Sequence, residues 1–197
     1  MCLLFESIRI ENRQILNLSA HLDRMESSRE KLWNIREKID IDCIRMPDQI
    51  DREIWKCRIE YDTAIRNISF TPYRKKRISK VRMIEANHIR YDFKYADRRD
   101  FDKLFRDNPG FDEFLITRNG FLTDSTFTNL ALFDGINWHT PLHCLLKGCR
   151  RRSLIEQGML SVAPIHRNDL KQFTRISLIN AMLDLEELTI DIQDIYE

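Results

Sequence analysis

The chain is expected to be an α+β protein in two parts, and three features of its sequence lead there. Short alternating or apolar runs, closed off by turn residues, recur along most of its length, as strands do. Few stretches carry helical spacing, the longest of them from Ser19 to about Trp33. The pattern also shifts around Ala86-Asn87-His88, so that a small α+β part over residues 1–86 precedes a larger, β-rich part over 87–197. That junction holds neither Gly nor Pro, which predicts parts that pack tightly.

Leu3 to Ile10 alternates as a strand, and Glu11-Asn12-Arg13 turns into Gln14 to Asn17. Ser19 is placed to cap a helix with Leu22, Met25, Arg29 and Leu32 along one face. Pro47, followed by Asp48 to Ile54, suggests a second short helix. Trp55 to Tyr61 and Ile65 to Tyr73 read as paired strands, and Lys80 to Glu85 continues the β region. Beyond residue 90, Arg98 to Phe105 is helical and Glu113 to Thr117 is a strand, with Arg118-Asn119-Gly120 as a hairpin turn. Leu130 to Phe133 and Asn137 to Thr140 flank the turn at Asp134-Gly135. Cys149 to Gln157 is a helix closed by Gly158, and Thr174 to Ile179 is a strand leading to Asn180-Ala181.

The 197 residues carry a net charge of +1, with 43% hydrophobic and 32% charged residues. Such balance gives no global field for nucleic acid or an anionic membrane. No apolar run approaches the roughly 20 residues that span a bilayer. The opening, Met1 to Ser7, meets an acid at Glu6 and has no basic leader or long apolar core, unlike a signal peptide. Cys2, Cys43, Cys57, Cys144 and Cys149 are odd in number and scattered, with no CxxC pair. They read as thiols of a reducing cytoplasm, and nothing suggests a zinc or iron–sulfur site. The run Arg74-Lys75-Lys76-Arg77 follows Pro72 and leads into Ile78 and Val81, which favours a solvated strand edge or turn over a nucleic-acid patch.

Five places carry chemistry. Lys94 stands among Tyr91, Phe93 and Tyr95, and aromatic neighbours that strip water from an ammonium make its amine a usable nucleophile or base. Leu122 to Gly135 holds one carboxylate, Asp124, in a run of hydroxyl residues before Asn129; the other reading is an Asx turn with Ser125 and Thr126. Gly148-Cys149-Arg150 opens a helix, where backbone N–H groups and the helix dipole favour an anion, and Asn180-Ala181 follows a strand as a second set of donors. Arg24, three residues after His21, shares a helix face with it.

In this order the pieces resemble the class IV aminotransferases, the fold-type IV pyridoxal phosphate enzymes. Leu4-Phe-Glu-Ser-Ile-Arg9 is similar to the family's "FET(I/A)R" strand, and His21-Leu-Asp-Arg-Met25 to its H-L-x-R-L helix. Asp112-Glu-Phe-Leu115 resembles "DEALL", and Gly120 to Leu130 resembles "G-x-(V/L)-T-E-G-S-x-S-N-(I/L)". Trp138-His-Thr-Pro141 resembles "YTP", and Leu146 to Arg151 resembles "hPGITR". The resemblance implies a Schiff-base lysine at Lys94, a cofactor-phosphate arginine at Arg24, phosphate-binding amides at Gly148, Cys149, Arg150, Asn180 and Ala181, and a partner for the pyridine nitrogen at Asp124. It also implies a homodimer, with pyridoxal 5′-phosphate held between the two parts.

Lys94-x-x-Asp97-Arg98 is similar to the "KxxNR" of 4-amino-4-deoxychorismate lyases, and Asn180-Ala181 is also lyase-like. The implied reaction yields 4-aminobenzoate and pyruvate, a step toward folate. The alternatives are a transaminase acting on a small branched-chain or D-amino acid, and a non-catalytic relative that kept the fold. Arg58, Arg66, Arg98 and Arg99 are candidate anchors for substrate carboxylates, with Arg58 and Arg98 put first. Four positions depart from the family pattern. Asp124 stands where glutamate is usual, so its carboxylate must reach the ring by a backbone shift or through a water. Cys149-Arg150 replaces Ile-Thr, which removes a hydroxyl phosphate ligand, and Arg99 replaces the tyrosine of the branched-chain enzymes.

Overall fold

The computed structural model describes residues 2–40 and 44–197; Cys43 lies outside them. The chain folds as two compact units, Met1–Arg74 with Phe93–Asp97, and Lys75–Asp92 with Arg98–Glu197. The division therefore falls at 74/75 rather than at 86/87. Phe93–Asp97, which carries Lys94, groups with the first unit because its backbone bonds to the first strand.

The first unit is a four-stranded antiparallel sheet with one helix. Its strands are β1 (Leu4–Glu11), β2 (Gln14–Ile15), β3 (Trp55–Tyr61) and β4 (Ile65–Pro72), in the order β2-β1-β3-β4. Asn12 and Arg13 turn β1 into β2 with φ of 50° and 61°. Register sorts the side chains by face. Leu4, Glu6, Ile8 and Ile10 stand opposite Tyr61, Ile59, Cys57 and Trp55, whereas Phe5, Ser7 and Arg9 stand opposite Glu60, Arg58 and Lys56. The first set, with Met25 of helix α1 (Leu18–Trp33), builds the apolar cluster of this unit. Glu6 is the one charged member of that row.

Two expectations are corrected here. Ser19 lies inside α1, whose N-cap position is Asn17 in the left-handed region, with no side-chain cap bond. No helix follows Pro47: residues 48 and 49 form a turn, closed by the bond from Ile50 N to Pro47 O (3.2 Å). A proline-led start does not hold a helix when the next residues bury only Ile50.

The second unit is built on a larger mixed sheet. It comprises β5 (Val81–Glu85), β6 (Glu113–Arg118), β7 (Phe121–Ser125), β8 (Asn129–Phe133), β9 (Trp138–Pro141), β10 (Ser161–Ala163), β11 (Arg175–Ile179), β12 (Thr189–Asp191) and β13 (Ile195–Tyr196). The path runs β10-β9-β8-β7-β6-β5-β13, with β11 paired to β8 and β12. Helix α2 (Arg99–Asp107) makes the crossover between the parallel strands β5 and β6, and its Phe105 ring lies edge-on to Phe114 at 5.0 Å. Leu115, Leu122, Leu130, Leu132, Ile176 and Leu178 share one apolar cluster. Alternate residues Ala131 and Ile179 face the other way, onto Leu154 of α3 (Cys149–Glu156).

The β6–β7 turn holds Asn119 and Gly120 at φ of 50° and 79°, as a tight hairpin requires. A Cβ on Gly120 would lie 2.3 Å from His166 Nε2, so the position also needs a bare backbone. The 3-10 helix Arg167–Gln172 and strands β10, β12 and β13 had not been expected. Arg74 to Arg77 is exposed and lies in no strand, although Lys75 pairs with Glu187 (3.5 Å) and Lys76 with Glu113 (3.3 Å). Among the described residues no helix is long and apolar enough to cross a membrane.

Met25 is fully buried and is the main apolar link between α1 and its sheet. Met25→Ala should cost about 2–5 kcal/mol, read as a lowered urea midpoint at unchanged slope.

Candidate active site

In the first unit, the candidate groups gather at β1, α1 and the 93–97 segment. Phe5 N donates to Lys94 O (2.9 Å), Ala96 N donates to Leu3 O (2.8 Å), and Leu4 bridges Tyr95. The backbone on both sides of Lys94 is thus fixed to β1. The Lys94 ammonium lies 4.6 Å from the centroid of the Phe5 ring. Phe5 is thus an aromatic that meets the amine, while Phe93 and Tyr95 pack against the apolar cluster and Tyr91 belongs to the second unit. The Arg58 guanidinium sits 4.0 Å from the same ring centroid and is held by Glu60 (2.9 Å). One ring thus carries two cations.

Arg24 is clamped rather than loose. Its Nε donates to Glu6 Oε1 (2.8 Å) and its Nη2 to Glu6 Oε2, and His21 Nδ1 lies 2.7 Å from that same Oε2. Burial alone would raise the Glu6 carboxyl, but the Arg24 charge and the His21 hydrogen bond outweigh it and hold it at about 2. Sequence reading placed Arg24 and His21 on one helix face but did not give them Glu6. The available signal was an acid in the apolar alternation of β1.

In the second unit, Asp124 ends up almost wholly buried. Asn129 Nδ2 donates to its Oδ1 (2.8 Å) and Leu146 N to its Oδ2 (2.9 Å). Burial still dominates and raises the carboxyl to about 6. Asn129 Nδ2 donates also to Leu146 O (2.8 Å), so the peptides before α3 are gripped from both sides. A Cβ on Gly148 would lie 2.0 Å from Asn129 Oδ1, so only glycine lets this segment approach. Gly148 is the extended N-cap residue of α3, as expected, and the helix begins at Cys149.

The side chains of several candidate residues have partners of their own. The Arg150 side chain pairs with Asp184, Nε to Oδ1 at 2.8 Å. Arg98 donates to the Tyr91 hydroxyl (3.2 Å) and to Thr126 O, and lies 4.4 Å from the Phe101 centroid. Asn180 shapes its own turn by accepting from Met182 N (2.7 Å) and Leu183 N (3.0 Å), and donates to Phe127 O (3.3 Å). Ala181, the next residue, is half-buried. Glu113 was missed as part of the site's support. It is fully buried, accepts from Thr126 N (2.8 Å) and Thr126 Oγ1, and so fixes the turn after Asp124. Its signal was a carboxylate opening an otherwise apolar strand.

These residues fit the cofactor that the resemblance implies. A buried carboxylate raised toward neutrality suits a cationic ring N–H, because a positive partner restores its ionised form. A bare glycine leading into a helix N-terminus suits a phosphate, since an α-helix leaves its first N–H groups to outside partners.

The two buried acids should give stability slopes of opposite sign. Glu6 stabilises above its ordinary 4.5, and that stability is lost as pH falls toward about 2. Asp124 is neutral in the fold up to about 6, so stability falls as pH rises from its ordinary 3.8 to about 6. Asp124→Asn should remove that loss, on the order of 3 kcal/mol, and Glu6→Gln should flatten the acid limb. Denaturant midpoints measured across pH for the apoprotein check both.

The model of the family described as amino-transferase class IV matches residues 3–186. An uncharacterized protein of Haemophilus influenzae is 33% identical over 182 residues, covering 91% of this chain and 97% of its own. The structure of a provisionally assigned 4-amino-4-deoxychorismate lyase from Haemophilus somnus superposes with a TM-score of 0.81 at 30% identity, covering 94% of this chain and 98% of its own. A hypothetical aminotransferase from Mycobacterium tuberculosis, in its PLP-bound form, shares the fold with a TM-score of 0.76 at 13% identity, over 98% and 81% of the two chains. The chain belongs to the class IV aminotransferase family of pyridoxal phosphate enzymes.

Proposed function

We propose that the protein is a lyase converting 4-amino-4-deoxychorismate to 4-aminobenzoate and pyruvate. The observation that carries this reading is likeness to the Haemophilus somnus protein of that provisional assignment, which extends along nearly the whole of both chains. The lyase-like Lys94-x-x-Asp97-Arg98 and Asn180-Ala181 support it. A transaminase for a small branched-chain or D-amino acid is the second reading, favoured by the family description itself.

Pyridoxal phosphate, when bound, supplies an electron sink conjugated to the substrate amine. In this proposal Lys94 holds the cofactor at rest and, once released by substrate, takes the proton from the carbon bearing the amine. The ring carbon–oxygen bond then breaks, the six-membered ring becomes aromatic, and the enol of pyruvate leaves with a proton returned by Lys94. Fixing the lysine backbone to β1 sets the point from which its flexible side chain reaches the reacting carbon. Asp124 holds the proton of the ring nitrogen. Arg24, oriented by Glu6, and the Gly148, Cys149, Arg150 and Ala181 backbones hold the phosphate, while Asn180, whose backbone N–H donates to Leu183 O (3.0 Å), shapes the turn that carries Ala181. Arg58, beside Lys94 on the Phe5 ring, is the candidate anchor for a substrate carboxylate. Arg98, bonded to Tyr91 and Thr126, has the lesser claim to that role. A homodimer in a reducing cytoplasm completes the proposal, which requires no nucleic acid and no membrane.

Purified protein supplied with pyridoxal phosphate should absorb in the visible, and Lys94→Ala should lose that band together with at least a thousandfold of turnover. Fluorescent 4-aminobenzoate should form from aminodeoxychorismate. Brisk keto-acid-dependent amino exchange without 4-aminobenzoate would favour the transaminase, and a protein that takes up no cofactor would end both readings.

A further inference from the structure

Asp124 and Asn129 face each other as the single register pair joining β7 to β8. The Asn129 amide nitrogen has two hydrogens, and each has a partner: Asp124 Oδ1 at 2.8 Å and Leu146 O at 2.8 Å. Its amide oxygen packs where a Gly148 side chain would be, 2.0 Å from an ideal Cβ. Both residues are nearly inaccessible, at 4% and 6% exposure, so water cannot replace these bonds cheaply. The planar NH2 group fixes the angle between the carboxylate and the peptide of Leu146. Leu146 N, donating to Asp124 Oδ2 at 2.9 Å, closes the ring of contacts.

We propose that Asn129 is a positioning residue: its amide aims the Asp124 carboxylate at the ring nitrogen of the cofactor while holding the segment that opens α3. The inference rests on the reading of Asp124 as partner of that nitrogen. A carboxylate on the short aspartate stem has one rotatable bond fewer than glutamate with which to seek the ring. Its direction is therefore set by its neighbours, and Asn129 is the side chain among them that donates to it. No other residue type of this size donates twice from one nitrogen and also presents an oxygen to Gly148.

The test uses pyridoxine 5′-phosphate labelled with 15N in the ring, which lacks the aldehyde and binds without a bond to Lys94. Its nitrogen shift reports ring protonation as pH is varied. In the unaltered protein the bound ring nitrogen should stay protonated to high pH, and Asp124→Asn should release its proton. Asn129→Ser and Asn129→Leu should lower the apparent pKa of the bound ring nitrogen by about one unit or more, with the phosphate still bound. A residue that merely supports the fold would change melting temperature or affinity and leave that titration alone. A folded, analogue-binding Asn129 variant with the original titration overturns the proposal. In the unaltered protein the Asn129 side-chain N–H signals should also move on analogue binding, and their failure to move overturns it even if both variants misfold. An unaltered protein that binds no analogue, or an Asp124→Asn protein whose ring nitrogen stays protonated, overturns the underlying assignment of Asp124 and this proposal with it.

Discussion

The second unit is organised around one constraint: the two ends of the Asp124–Asn129 crossing must be held together without bulk solvent. Only one register pair joins β7 to β8, so the connection cannot rely on a ladder of backbone bonds. Side chains hold it instead. Glu113 grips Thr126, Arg98 reaches Thr126 O, the Ser125 and Thr128 hydroxyls meet at 2.8 Å, and Asn180 donates to Phe127 O. Three of the four ties come from other elements, so β6, the start of α2 and the end of β11 are all registered to the same six residues. Lys76, from the basic run, closes over the arrangement by pairing with Glu113 and lying 5.5 Å from the Phe127 centroid.

The two units solve the problem of a buried acid in opposite ways. Glu6 is matched by a guanidinium and an imidazole from the facing helix, and so remains ionised at any ordinary pH. Asp124 receives the Asn129 amide, backbone N–H groups of the segment before α3 and a weaker pull from the Arg151 charge, enough to orient it but not to offset its burial. A fully compensated carboxylate is a structural clamp. A partly compensated one is a group still able to gain from a cation, which is why Asp124 and not Glu6 suits a protonated heterocycle.

Much of this was legible in the sequence where chemistry is local. The hairpin turn at Asn119-Gly120, the longer strands of both sheets, Gly148 before a helix, and the family membership could be read from spacing and motif. The helix assigned after Pro47 failed because a start signal does not supply the buried face a short helix needs. Short strands such as β10 and β13 were missed because two or three residues carry no period. Phe5, a further aromatic beside Lys94, could not be read from neighbours in sequence and became visible only through the register of β1 with the 93–97 segment. Glu113 and Glu6 were both betrayed by a charge in an apolar strand, a signal that shows a buried acid without naming its partner.

The assignment of Lys94 as the cofactor-bearing lysine is the claim on which the chemistry stands. Incubating the protein with pyridoxal 5′-phosphate, fixing it with borohydride and sequencing the peptides by mass spectrometry tests it directly. The phosphopyridoxyl group should be found on Lys94, stoichiometrically and ahead of every other lysine. Stoichiometric labelling of a different lysine, or only sparse labelling scattered over the surface lysines, would contradict it.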